Sequence, residues 1–400
     1  MLDYHRNLSL LKSDFDKGKR FTLFIGAGIN ASKSVRLLWK DIVGESCSYA
    51  FRRIGDNLNL RLSDTQNLLS ILGIEPIDWN NNECIPNKGS ISKEIFLNYL
   101  QLKEYIDTHF PVEIQVSIIK TLLGDAYIPF LQDYIYNQCN KETIRKKFEV
   151  YRIDNQNEIC ERELHTLYVV ARMVLLNPQI TNIVSYNYDN FLTYAICYLL
   201  NNNELFFTEC EKQFLKFRYR LEENESLDDV LPAVDIEQTN TTGKDINWRT
   251  IPVYHVHGYI PPKDELQYVD PPSIVLSMDE YCSSLRDETN WRIATQECFI
   301  QTSNSLFIGS SLTDLTTKRI LGLSENNPNH NIYMLDAYSS VSSDEFNIDR
   351  AKQVFRQIRD SYLISLGVKV IDCDKGFEHL YTNIATIKDK KLQEKAHEKA

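Results

Sequence analysis

Basic residues are in short supply in this 400-residue chain: 44 Lys plus Arg stand against 55 Asp plus Glu, a formal charge of −11. Nothing therefore draws the chain as a whole toward phosphate backbones or anionic lipid, and direct nucleic-acid binding is not expected. Long apolar runs are missing too. The most apolar stretch, Leu164 to Leu176, is interrupted by His165 and Arg172 and falls short of the roughly 20 residues that cross a bilayer. The N-terminal segment scatters charge of both signs with no apolar signal core, so the expectation is a cytoplasmic protein without a membrane anchor. Nine cysteines, at 47, 84, 139, 160, 197, 210, 282, 298 and 373, never fall at C-x-x-C spacing, which excludes a zinc ribbon. They read as reduced thiols packed as small hydrophobes, and no metal is expected. No internal repeat is present.

What remains is a folding composition, 43% apolar, 25% charged and 11% aromatic, on a chain long enough for one large or two modest domains. Short β-branched and aromatic runs bounded by Gly, Pro or Asn occur at 21–25, 180–185, 251–256, 273–276, 305–308, 331–335 and 368–371, and read as buried strands. Helical periodicity fills 288–302, 315–323 and 343–366. Strand and helix in alternation predict an α/β fold: a Rossmann-like parallel sheet with helices on both faces, formed by 1–44 and 176–385. Residues 45–175 carry long amphipathic stretches without strand signals and predict a large helical insertion. The segment 200–250 is strongly acidic and polar, a solvated excursion or a lid; 386–400 reads as a charged helical tail.

Four strand ends carry chemistry. The first, Gly26-Ala27-Gly28-Ile29-Asn30-Ala31, fits G-x-G-x-x-G/A directly after a strand. Glycines there let the backbone turn sharply and approach a pyrophosphate, whose charge the following amides meet; Asn30 or Ser32 would cap the next helix. A turn that binds nothing is the alternative. A Walker loop is excluded because no Gly-Lys-Ser/Thr follows, and no second strand ends in the acid a dehydrogenase needs for the adenine ribose.

The second end is Ser185-Tyr186-Asn187-Tyr188-Asp189. Asn187 can orient a water or ribose hydroxyls without adding charge, and Asp189 can accept from helix amides; plain capping of the helix near Asn190 is the alternative. The third is Ile251 to Ile260, where alternation places His255 and His257 on one face. His257, followed by Gly258, is read as the base and His255 as its support, against a purely structural role for both. The fourth, Leu306 to Asp314, offers Gly309, Ser310 and Ser311 to a ribose or phosphate, with Asp314 opening a helix.

In this order the four segments resemble the sirtuin superfamily, and specifically the sirtuin-like domains of prokaryotic antiphage defence, over about 21–42 and 180–373. The resemblance implies that Gly26, Ala27 and Gly28 bind NAD, that Asn187 and His257 form the catalytic pair, and that Asp189, Gly309, Ser311 and Asp314 hold the cofactor. The four zinc cysteines of the protein-deacylating branch are absent, and Ser34-Val35-Arg36-Leu37-Leu38-Trp39 replaces the usual cofactor loop. Relatives of this kind hydrolyse NAD to ADP-ribose and nicotinamide without a metal, halting the infected cell. The resemblance also implies a homo-oligomer and a partner such as a HerA-type ATPase or a short Argonaute. A non-catalytic NAD or ADP-ribose sensor is the alternative, and a protein deacylase a weaker third.

Overall fold

Short apolar runs separated by amphipathic stretches can pair only after crossover connections, which makes the strands parallel. In the computed structural model they form one six-stranded, wholly parallel sheet in the order β3-β2-β1-β4-β5-β6. The strands are β1 (Phe21–Ile25), β2 (Ile180–Ser185), β3 (Val253–His255), β4 (Asn304–Ile308), β5 (Ile332–Asp336) and β6 (Val368–Asp372). The structure describes residues 4–30, 37–58, 112–153, 163–218, 251–263, 291–310, 315–323, 329–336 and 346–372, with isolated positions between them. Helices are α1 (Tyr4–Asp16), α2 (Trp39–Leu58), α3 (Val112–Leu123), α4 (Tyr127–Gln138), α5 (Lys141–Phe148), α6 (His165–Leu176), α7 (Phe191–Asn201), α8 (Glu209–Arg218), α9 (Trp291–Thr302), α10 (Leu315–Leu323) and α11 (Phe346–Ser365).

This is the expected Rossmann-like α/β fold, and its strand order is the one dinucleotide-binding sheets use. The order reverses between β1 and β4, so their carboxyl ends flank the crevice where open parallel sheets receive ligands. Strand alternation explains the two covering layers. Phe24, Val184, Phe307, Met334 and Val370 face one side and pack with Ile300 of α9, Ile320 and Leu321 of α10 and Leu363 of α11. On the opposite side Phe21 stacks on Phe15 of α1 at 4.0 Å, and Tyr333 meets Phe21 at 6.4 Å.

Two compact units divide the chain. Residues 1–36, 137–274 and 287–400 carry the sheet, with α5 and α6 both packed on α7; residues 37–136 with 275–286 form the other, in which α2 packs on α3 and Tyr49 stacks on Phe130 at 4.4 Å. The apolar stretch Val112–Tyr151 reaches a mean hydropathy of 1.2, but Gly124, at φ +50°, and the Asn140 cap divide it into helices of 12, 12 and 8 residues. Twelve helical residues span only about 18 Å. The run expected as a strand at 273–276 is different: Ile274 and Val275 are buried but take no strand conformation, and an apolar run of that length reads alike in a strand and in a buried loop. The acidic residues of 219–250 and the tail 386–400 lie outside the described residues.

At the amino ends of the strands Asp14 ties α1 to the sheet. Its Oδ2 accepts from Asn304 (3.1 Å), Asn331 (2.7 Å) and Tyr333 (2.8 Å), and its Oδ1 from Lys19 (2.8 Å). Burial alone would push this carboxyl up, yet the hydrogen bonds from Lys19, Asn331 and Tyr333 outweigh it and hold the group below the ordinary value. Asp14→Ala should cost about 2 kcal/mol in urea unfolding at pH 7. A depressed folded pKa gives stability that is complete above the unfolded value and lost as pH falls through the folded one, so the penalty should shrink toward pH 3. A penalty independent of pH would contradict this assignment.

At the carboxyl ends, the turns after β1 and β4 meet backbone to backbone. Gly26 N–H donates to the Ile308 carbonyl (3.0 Å) and Gly28 N–H to that of Gly309 (2.9 Å). A methyl group on Gly26 would lie 2.6 Å from Gly309 O; one on Gly309, which sits at φ +66°, would lie 2.5 Å from the Ile29 nitrogen. Gly309→Ala should therefore cost roughly 3 kcal/mol from strain plus overpacking. Gly18→Ala, at φ +70° with open space around it, should cost only the left-handed penalty of about 1 kcal/mol. Equal melting temperatures for the two variants would refute the close approach.

Candidate functional site

Parallel strands leave the backbone groups at their carboxyl ends without ladder partners, and here those groups are claimed by neighbouring turns. β2 ends at Ser185, and the next residues are knitted to the end of β3. Val256 N–H donates to Ser185 O (3.1 Å), Ile260 N–H to Tyr188 O (2.8 Å), and the Asn190 side chain to the Tyr259 hydroxyl (2.6 Å). Ser185 and His255 are register partners across the two strands.

Asn187 stands at the centre. Its N–H donates to Ser185 Oγ (3.2 Å), its carbonyl accepts from His255 Nδ1 (3.1 Å), and its Nδ2 donates to Gly26 O (3.3 Å). The last bond joins it to the glycine turn, 161 residues earlier in the chain. Because a carbonyl only accepts, that contact also fixes which end of the amide is which. Asn187 Oδ1 is then buried with no hydrogen-bond partner among the described residues. An orphaned buried acceptor costs about 1 to 3 kcal/mol unless something donates to it.

Asp189 does two jobs. Its Oδ1 accepts from Phe191 N–H (3.0 Å), opening α7, and its Oδ2 accepts from Asn30 Nδ2 (2.9 Å). Asn30 therefore braces Asp189, and the glycines lead into a 3-10 turn, Ala27–Asn30; residues 31–34, where a helix capped by Asn30 would begin, lie outside the described residues. Asn30 Oδ1, like that of Asn187, is buried without a partner among the described residues. Burial pushes the Asp189 carboxyl up to about 6, against the stabilising bonds from Phe191 and Asn30.

The two histidines part company. β3 ends at His255 and a turn intervenes, with Gly258 at φ +92°, so strand alternation does not extend to His257. His255 lines a small pocket with Ile25, Ser185, Asn187 and Asp189, and burial pushes its imidazole down to about 4 despite the bond to the Asn187 carbonyl. His257 is buried with its ring 5.1 Å from that of Tyr186 and 6.4 Å from that of Tyr188, the two residues flanking Asn187. Tyr186 in turn donates to Gln296 of α9 (2.9 Å).

Gly309 abuts the first glycine turn, and the Ser310 hydroxyl accepts from Leu312 N–H (3.3 Å), steadying a leucine held at φ +54°. Ser32, Ser311 and Asp314 lie outside the described residues. The structure thus brings together through hydrogen bonds Gly26 with Asn187, Asn30 with Asp189, and Gly28 with Gly309. Ser185 and Tyr259 were not anticipated. Both adjoin a chemically suggestive residue, but a hydroxyl that caps a strand end has no spacing signature of its own.

A glycine turn at the switch point of a Rossmann-like sheet, with acceptors waiting beside it, defines a nucleotide-binding class of α/β domain. Residues 181–355 match the family model of the SIR2-like domain, which supports a sirtuin-like domain with NAD-related activity. The match runs from β2 into α11 and covers Asn187, Asp189, His257 and Gly309; β1 and its glycine turn precede it but are hydrogen-bonded to the matched β4. No curated protein matches the chain.

The raised Asp189 carboxyl makes a stability prediction. A folded pKa above the ordinary 3.8 means that the folded chain holds this proton more tightly than the unfolded one, so stability drains as pH rises from about 4 to about 6 and not beyond. Asp189→Asn removes that loss. Its Tm relative to the parent should therefore climb between pH 4.5 and 6.5 and level off above, and a difference that stays constant across this range would be the contrary result.

Proposed function

We propose that the chain hydrolyses the N-glycosidic bond of NAD, releasing nicotinamide and ADP-ribose, as the cytoplasmic effector of a bacterial antiphage, abortive-infection system. The observation that carries the chemistry is Asn187: three of its polar groups are tied to the protein, and the fourth, Oδ1, is a buried acceptor facing no protein donor among the described residues. Ribose hydroxyls and water are the donors that NAD hydrolysis would bring there. The glycine turn supports a dinucleotide by its place, at the carboxyl end of β1 beside the point where the strand order reverses.

Loss of neutral nicotinamide leaves positive character on the ribose C1′, so the protein has to supply orientation and a water with its proton partly withdrawn. Asn187 would hold the ribose diol or that water. His257 would take the proton, its ring braced by Tyr186 and Tyr188. Gly26, Ala27, Gly28 and Gly309 would flank the phosphates, with Asn30 and Asp189 beneath the nicotinamide ribose. Ser32 and Ser310 are assigned to NAD by their place at strand ends, Ser311 and Asp314 also by the resemblance, on which the homo-oligomer and the HerA-type or short Argonaute partner rest alone. No metal enters the scheme.

Nicotinamide release from NAD by the purified chain, followed by chromatography, tests the reading. Asn187→Ala and His257→Ala should each lower the rate by roughly 100-fold or more. Full turnover in both variants would remove the site assignment. Tight ADP-ribose binding with no turnover, alone or with a co-purified partner, would instead establish the sensor.

A further inference from the structure

His255 is the most deeply buried titratable group of the site, and the proposed chemistry does not use it. It is 1% exposed, lies at the last position of β3 opposite Ser185, and shares a pocket with Asn187 and Asp189. Its Nδ1 is 3.1 Å from the Asn187 carbonyl oxygen. That oxygen can only accept, so Nδ1 carries the proton, and in the neutral ring Nε2 is left as a lone-pair acceptor with no partner among the described residues. A ring confined to hold one backbone carbonyl, at the expense of its other nitrogen, is an arrangement that packing alone does not require. A leucine would fill such a space without the Nε2 orphan, at the expense only of the bond to the Asn187 carbonyl.

We infer that His255 is the positioning residue of Asn187: its Nδ1–H holds the carbonyl of a residue that has left the β-ladder, and so aims the side-chain amide. Past Ser185 the backbone of Asn187 has no strand pairing. Its N–H is held from one side by Ser185 Oγ and its carbonyl from the other by His255, which sets the peptide planes on both sides of the Cα. The Cα–Cβ direction follows, and Nδ2 then reaches Gly26 O. Release the carbonyl, and the amide keeps its partner Gly26 but loses its fixed origin. This inference rests on the reading of Asn187 as the group that orients the ribose or the water.

The test contrasts two variants. The Asn side chain can place an N–H near the position of Nδ1, whereas Leu fills the volume and donates nothing. His255→Leu should lower kcat for nicotinamide release tenfold or more, with KM changed less than threefold and the Tm within a few degrees. His255→Asn should recover part of that rate. Turnover in His255→Leu equal to the parent overturns the inference, and so does a folded His255→Asn no faster than His255→Leu.

A readout without turnover separates this inference from the proposed activity. In protein labelled with 15N-histidine, His255 should show the Nδ1–H tautomer, and in protein labelled with 15N-asparagine the Asn187 side-chain amide should shift toward its solvent position in His255→Leu but less so in His255→Asn. If the parent releases no nicotinamide, the NAD hydrolase reading falls while these spectra still decide the positioning role. An Nε2–H tautomer, or an Asn187 amide unmoved in His255→Leu, overturns it.

Discussion

Asn187 is held at its N–H by Ser185, at its carbonyl by His255 and at its Nδ2 by the Gly26 carbonyl. The rest of the site depends on this threefold anchorage. A parallel sheet ends in backbone groups without partners, and the fold resolves the problem here by letting the adjacent strand end and two segments distant in sequence satisfy one asparagine. What is left over is a single oxygen. Its direction is set by partners that can only accept or that are fixed to strands, so this buried acceptor is oriented before any ligand arrives. Preorganisation of this kind is how a protein lowers a barrier without covalent chemistry of its own.

The glycines serve the same end by a different route. Gly26, Gly28 and Gly309 are needed first because two turns pass within van der Waals contact of each other, leaving no room for a Cβ. That requirement exists whether or not a phosphate binds. A G-x-G after a strand is therefore a signal of close backbone approach, and the nucleotide interpretation draws its weight from what stands beside the turn: Asn187 on one side, and the Asn30 to Asp189 bond on the other.

Much of this was legible in the sequence. The strands at 21–25 and 180–185 fall where β-branched runs end in Gly or Asn, and the glycine, Asn-x-Asp and His-Gly positions appear at strand ends because those residue types suit a chain leaving a ladder. Other features were not legible, for physical reasons. Period-2 alternation put His255 and His257 together, but a turn after His255 with Gly258 at φ +92° breaks the period, and only one of the two lines the Asn187 pocket. The bond from Asn30 to Asp189 spans 159 residues, a distance no local pattern reads. The buried run at 274–275 has no strand partner among the described residues, a fact no local pattern contains.

One structure would bear most directly on the account: the chain crystallised with ADP-ribose, the proposed product, which keeps the ribose and both phosphates. The account predicts a ribose hydroxyl, or a water bound to one, within about 3.2 Å of Asn187 Oδ1, with the diphosphate beside Gly26 and Gly28. ADP-ribose bound elsewhere on the molecule, with Asn187 Oδ1 still lacking a donor, would contradict it.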